Sequence, residues 1–238
     1  MSDLITYERS ESVAMIAMDD GKVNVMSPRM LTALNGALDR ASADQALVVL
    51  QGRPGVFSAG FDLTVLAAGG ADAHGMLIAG FELAERLLSF PTPVVVACTG
   101  HAVAMGVFLL LSADYRIGAE GAFRIVANEV AIGLTMPHSA VEICRQRLAP
   151  AHFQRAVINA EMYTPEPAVV AGFLDQVVSA GDLESAAREA ASRLATLDLA
   201  AHAATKLRAR DQTLQALRRA IELDDAELRA RLGSPASR

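Results

Sequence analysis

Two glycine-containing stretches of this sequence could hold negative charge, and one glutamate among apolar residues could move a proton. The first stretch, Gly55-Val56-Phe57-Ser58-Ala59-Gly60-Phe61-Asp62-Leu63, follows the apolar run Ala46 to Leu50 and leads into a helix-like segment. It reads as a strand end and tight turn with outward-facing backbone N–H groups. The second stretch, Gly100 to Asp114, follows the apolar run Val94 to Cys98 through a glycine and enters a wholly apolar helix. Free N–H groups and a positive dipole end are expected where that helix starts. Together the turns suggest a two-donor pocket for a developing oxyanion. Glu129 lies in Ala127-Asn128-Glu129-Val130-Ala131-Ile132-Gly133, where apolar neighbours would bury it and raise its pKa into the range of a general base. The plainer alternative is a solvated Glu129, or one paired with an arginine such as Arg124.

Other chemistries find little support. His74, His101, His138, His152 and His202 have no metal-ligand spacing, so no metal is expected. Neither Ser58 nor Ser112 stands in a Gly-x-Ser-x-Gly context, which argues against a serine hydrolase. A net charge of -6 over 238 residues excludes a non-specific nucleic-acid surface. Cys98 and Cys144 sit in apolar runs, too few for a disulfide framework, and read as buried free thiols of a reducing compartment. The start of the chain lacks a signal-peptide pattern and no run approaches a membrane span, so a cytoplasmic location is expected.

The elements that must position these residues read as repeated strand, turn and helix units of a layered α/β core. Leu4 to Arg9 and Val13 to Asp19 suggest a hairpin, and Ser27-Pro28 starts a helix reaching about Ala43. Leu63 to Gly75, with Gly69-Gly70 in its middle, reads as a helix fragment and then a mobile loop that could cover a ligand. Met76 to Phe90 reads as a helix, Tyr115 to Gly118 as a strand, Pro137 to Leu148 and Pro150 to Ala160 as helices. A short helix capped at Thr164 and an edge strand at Gln176 to Ser179 follow. Asp182 to Leu197 is an amphipathic helix, and Ala200 to Leu232 one long helix with a narrow apolar stripe, of the kind that packs on a neighbouring domain or subunit. These elements divide into a core over 1-180 and a C-terminal helical region over 181-238.

In combination, Val23-Asn24-Val25-Met26-Ser27, Phe57 to Leu63, Gly100 to Asp114 and Asn128 to Leu134 resemble the crotonase (enoyl-CoA hydratase/isomerase) superfamily, over roughly residues 4 to 210. That resemblance implies an α/β crotonase-like spiral of ββα units with a C-terminal helical trimerisation region, and a homotrimer or dimer of trimers. It places the thioester-oxygen donors on the backbone N–H groups of Phe61 and Met105, the latter standing where relatives carry glycine. It makes Glu129 the catalytic carboxylate and sets Lys22, Val23, Asn24 and Ala59 near the adenine and pantetheine of coenzyme A. Gly60, Asp62, Leu63 and Gly106 belong to the same substrate-binding turns, Asp62 as a brace. Lys22 and Lys206 are the candidates for the CoA phosphates.

Hydratases of the family carry a second glutamate where this chain has Phe108, and a phenyl ring cannot transfer protons. The implied activity is therefore 3-enoyl-CoA to 2-enoyl-CoA isomerisation by a single base, with Phe108 in an apolar acyl slot or in the core. No cofactor is implied, coenzyme A being part of the substrate. The alternatives are a hydratase using Glu82, Glu142 or Glu161 as second acid, a thioesterase or decarboxylase, or an inactive acyl-CoA-binding module.

Overall fold

The computed structural model describes residues 4–233. Strands β1 (Ile5–Ser10) and β2 (Val13–Met18) form the expected antiparallel hairpin, and a two-residue strand, β3 (Val25–Met26), follows. Helix α1 (Pro28–Ala43) starts as its sequence dictates, with Ser27 Oγ accepting the Met30 N–H at 3.2 Å and proline in the first turn. Then come β4 (Leu47–Gln51), β5 (Gly55–Ser58), β6 (Gly60–Phe61), α2 (Leu63–Ala68) and α3 (Gly70–Ser89). The next group is β7 (Val94–Cys98), β8 (Gly100–Val103), α4 (Met105–Leu111), β9 (Tyr115–Ala119) and β10 (Ile125–Val126). A 3-10 turn over Val130–Ile132 leads to α5 (His138–Arg145), α6 (Pro150–Val157), α7 (Pro165–Ala171) and β11 (Gln176–Val178). Three helices end the described chain: α8 (Leu183–Ala195), α9 (Leu199–Ala209) and α10 (Asp211–Gly233).

The main sheet has the order β1-β2-β4-β7-β9-β11, parallel throughout except for the opening hairpin. Its central strands are apolar on both faces because both faces are covered, and the period of two assigns each side chain to a face. Val48, Leu50, Val94 and Val96 enter the principal core, while Val49, Val95 and Ala97 meet Leu183, Ala187, Ala190 and Ala191 of α8. The edge strand expected near Gln176 is β11, at one border of this sheet.

The glycine stretches do more than turn. Gly55–Ser58 and Gly100–Val103 are strands of a second, three-stranded parallel sheet of order β10-β8-β5, and Gly60–Phe61 pairs with β3. The chain reaches this layer by a close backbone approach: a Cβ on Gly100 would lie 2.0 Å from the carbonyl carbon of Gly55. Only glycine permits that crossing.

Two expectations are corrected. No loop separates α2 from the next helix: Gly69 and Gly70, with φ of 66° and 70°, make a two-residue corner from which α3 begins at once. Burial of Ala73 and Met76, and a 2.7 Å contact from His74 to Asp225 of α10, hold that first stretch helical. The long C-terminal helix is broken at Arg210, whose φ of -102° and ψ of 6° leave the helical range. The Arg210 guanidinium is drawn aside to the Leu88 carbonyl at 2.8 Å and to Asp114 at 2.9 Å. Beyond it, α10 packs on α3 and α5 of its own chain, burying Leu214, Leu217 and Ala220.

Candidate active site

The two glycine stretches meet. Gly60, with φ of 90°, lies so near the start of α4 that a Cβ on it would be 2.8 Å from Ala104 Cβ and 3.3 Å from the Met105 nitrogen. Phe61 is thereby set beside Met105. The strained backbone falls one residue before Met105: Ala104 takes φ 49° and ψ -122°, a conformation that costs an L-residue of order 1–3 kcal/mol. Ala104 is held in it by its N–H bond to the Val126 carbonyl at 3.0 Å, and its own carbonyl accepts from Val107 at 2.8 Å. Met105 itself sits in regular helix with its side chain fully buried. Gly106 fits because a Cβ there would be 2.5 Å from the Ser58 carbonyl oxygen.

The first turn is braced from behind. Ser58 Oγ donates to the Asn24 carbonyl at 2.7 Å and accepts the Gly60 N–H at 3.1 Å. Asn24, fully buried at φ 52°, donates to the carbonyls of Met18 (3.0 Å) and Phe57 (3.2 Å). Asp20 accepts the N–H groups of Lys22, Asn24 and Val25, and those bonds hold its carboxyl below the usual range against the upward pull of burial. The Ala59 N–H donates to the Val23 carbonyl at 2.9 Å. Asp62 caps α2, accepting from Thr64 at 2.9 Å and Val65 at 3.4 Å, while Leu63 stands 67% exposed beside it. Sequence reasoning tested Ser58 only as a nucleophile; its role in bracing could not be found without Asn24, 34 residues away in the chain.

Glu129 is 7% exposed, and its Oε2 is buried with no hydrogen-bond partner among the described residues. Burial raises its pKa from 4.5 to about 7. Arg124 makes no ion pair with it among the described residues; the backbone N–H of Arg124 donates to His101 Nδ1 at 2.9 Å, and the His101 ring stacks edge-on to Phe123. The carbonyl of Glu129 accepts the Leu134 N–H at 2.9 Å, closing the 3-10 turn behind it. The Cys144 thiol of α5 is fully buried and its titration feels the Glu129 charge.

No second buried carboxylate joins Glu129 among the three suspects. Glu161 pairs with Arg155 at 2.6 Å, Glu142 pairs with Arg145 at 3.2 Å, and Glu82 is exposed on α3. Phe108 is 1% exposed, its ring 6.1 Å from Phe81, which in turn stacks edge-on to Phe61 at 6.0 Å. It belongs to the packed core.

Of the phosphate candidates, Lys22 is exposed near the first turn, with its carbonyl accepting from Arg53 at 3.0 Å. Lys206 is corrected: its side chain is 3% exposed and its Nζ is 2.7 Å from Asp114, so it is an internal ion-pair partner and cannot reach a ligand. His138 lies at the start of α5 facing Glu227 of α10. No group of three metal-ligating side chains and no helix long and apolar enough to cross a membrane occur among the described residues. Two surface cavities of about 560 and 400 Å³ run along α1, α2 and α3, sharing Pro28 and Asp72, and neither is lined by Phe61, Met105 or Glu129.

Comparison with known proteins gives the family of the chain. Residues 8–234 match the family model for enoyl-CoA hydratase/isomerase. Human mitochondrial enoyl-CoA delta isomerase 1 is 30% identical over 220 residues, covering 90% of this chain and 72% of the human one. A probable enoyl-CoA hydratase of Rhodobacter capsulatus is 32% identical over 204 residues, 85% of this chain and 79% of its own. An apo structure of an enoyl-CoA isomerase from Mycobacterium tuberculosis superposes with a TM-score of 0.92 at 49% identity, covering 95% of this chain and all of the other. The chain therefore has the crotonase fold and belongs to the enoyl-CoA hydratase/isomerase family.

Proposed function

We propose that the protein shifts the double bond of a 3-enoyl-CoA to the 2-position. In this reading Glu129, ionised, removes a proton from C2, and the electrons of that C–H bond pass into the thioester as an enolate. The N–H groups of Phe61 and Met105 hold the enolate oxygen, each such donor contributing about 2.7–4 kcal/mol to the transition state. Glu129, now protonated, delivers its proton to C4 as the enolate collapses, leaving the 2-enoyl thioester and a regenerated carboxylate. One carboxylate that gives and takes the proton suffices. Val23 and Ala59 would carry the CoA chain through backbone groups, Asn24 shaping that loop from within, with Lys22 at the phosphates.

The observation that carries this reading is the environment of Glu129: a buried carboxylate whose Oε2 has no partner among the described residues, balanced between its two protonation states near pH 7. Hydration would need a second acid, and Phe108 occupies its position with a packed aromatic ring. The test offers purified protein a 3-enoyl-CoA and, separately, a 2-enoyl-CoA, beside a Glu129→Gln variant. Formation of the conjugated thioester, lost in the variant, with negligible hydration of the 2-enoyl substrate is expected. Brisk hydration by the unaltered protein would sink the single-base reading, and binding without turnover would make the chain an acyl-CoA-binding member.

A further inference from the structure

Helix α5 begins without a cap of its own, because Pro137 precedes it and offers no side-chain acceptor. The acceptor arrives from α10, more than 80 residues away. Asp224, 6% exposed, takes the His138 N–H at 2.9 Å on Oδ1, and on Oδ2 both the Ser139 N–H at 2.9 Å and the Ser139 hydroxyl at 2.6 Å. A charged acceptor on the free N–H groups of a first turn is among the stronger hydrogen-bond arrangements.

The position of this cap relative to Glu129 gives it significance. From Glu129 to Pro137 the chain is exposed at Val130 (44%), Ile132 (53%) and Leu134 (51%). It is pinned in front by the Leu134 N–H to the Glu129 carbonyl, and behind by half-buried Met136 and the capped start of α5. Helix α5 also brings Cys144 within electrostatic range of Glu129 and packs on α4, whose first residue is Met105.

We infer that Asp224 is a positioning residue: by fixing the first turn of α5 it holds the segment that follows Glu129 and the buried face of α5, Ala140, Ile143 and Cys144, as an apolar wall near its carboxylate. The inference rests on the reading of Glu129 as the base. The other charged groups at this junction pair with one another. On α10, Asp225 meets His74 of α3 and Arg229, Glu227 meets His138, and Arg218 meets Glu85 of α3; on α5, Glu142 meets Arg145. Asp224 is the group among them that binds backbone N–H donors.

The test compares Asp224→Asn with Arg218→Ala, which removes an exposed link on the same helix. Two readouts are used: the pH–rate profile with a 3-enoyl-CoA, and the 13C titration of the Glu129 carboxyl, assigned by its absence in Glu129→Gln. Asp224→Asn is expected to lower kcat about tenfold and to move both the acid limb and the carboxyl titration down by about one pH unit as the wall loosens, with KM little changed. Arg218→Ala is expected to move neither. An unmoved titration in Asp224→Asn, even with a lowered Tm, would overturn the proposal and leave a purely structural cap. Should Asp224→Asn fail to fold, Ser139→Ala removes one of the three bonds and must shift the titration in the same direction, and its failure to do so overturns the proposal equally. The titration reads the proposal even if the protein turns over no 3-enoyl-CoA, which would count against the assigned reaction alone.

Discussion

Two carboxylates largely withdrawn from solvent, Asp114 and Glu129, are treated in opposite ways. Asp114 receives Lys206 Nζ at 2.7 Å, Arg210 at 2.9 Å and the Val94 N–H at 2.7 Å. Around it, Arg116 grips Asp175 through two nitrogens and reaches the Gly172 carbonyl, and Arg147 donates to the Asp114 carbonyl. Burial, with Arg116 close by, pulls Arg147 down to about 10. Helix ends are served by the same cations, since Gly172 closes α7 and Leu88 lies in the last turn of α3. Glu129 has comparable burial and no such company. A buried charge with partners ties elements together, and a buried charge without them can keep a proton available; the difference separates the frame from the group proposed to react.

Breaking the reactive side of that contrast has the largest expected effect. Glu129→Gln should cut turnover by about 10²- to 10⁴-fold, the usual worth of a general base. It should also stabilise the protein. Burial raises the native carboxyl to about 7 while the unfolded chain keeps about 4.5, so the native state holds its proton more tightly. Stability from this group is complete below about 4.5 and is lost as pH rises to about 7, so above pH 7 the amide variant gains up to about 3 kcal/mol. Denaturant melts at pH 5 and pH 8 check this: the two proteins should differ at pH 8 far more than at pH 5. The unaltered enzyme's rate should likewise rise with pH through about 7, as the base ionises.

Breaking the frame should do the reverse. Asp114→Asn leaves Lys206 and Arg210 buried beside a neutral amide, and removing one partner from such a network costs about 3–5 kcal/mol. Chemical denaturation should show that loss, while kcat per folded molecule stays near that of the unaltered protein. A parallel collapse of kcat would show that the frame and the site are not separable.

The two carboxylates also differed in how far the sequence disclosed them. Glu129 could be found from the order of the glycine stretches, which is a local signal; its neighbours Val130, Ala131 and Ile132, expected to bury it, are themselves exposed, and its burial comes from elsewhere in the fold. Asp114 lies at the end of one of those stretches, yet its partner Lys206 stands 92 positions on. Contact at that separation leaves no local pattern, which is why Lys206 was assigned to phosphates. The same reason hid the break at Arg210, whose helix-leaving conformation is fixed by Leu88 and Asp114, and the early start of α3, where His74 and Asp225 outweigh a glycine pair. Strands β2, β4 and β7 were legible throughout, since burial on both faces writes itself as unbroken apolar runs.

A smaller effect probes the apolar wall on the reactive side. A Cβ on Gly80 of α3 would stand 2.5 Å from Phe61 Cε1 and 3.4 Å from the Met105 sulfur. Gly80→Ala must push the Phe61 ring away from α3, an overpacking cost of about 1–3 kcal/mol. Phe61 lies directly beside Met105, so the displaced ring should also reduce kcat/KM for long acyl chains more than for short ones. Equal losses across chain lengths would place the ring outside the acyl path.

The smallest effect completes the contrast by supplying partners without burial. Arg155 and Glu161 make two hydrogen bonds, with side chains 51% and 31% exposed. If partners alone tied the frame together, Arg155→Ala would cost as much as the loss of Asp114. Solvent and salt screen an exposed pair, and ordering two long side chains offsets most of its attraction. Arg155→Ala should therefore leave Tm unchanged within error at moderate ionic strength, with activity intact. A drop in Tm approaching that of Asp114→Asn would mean that pairing, not pairing under burial, is what holds this fold.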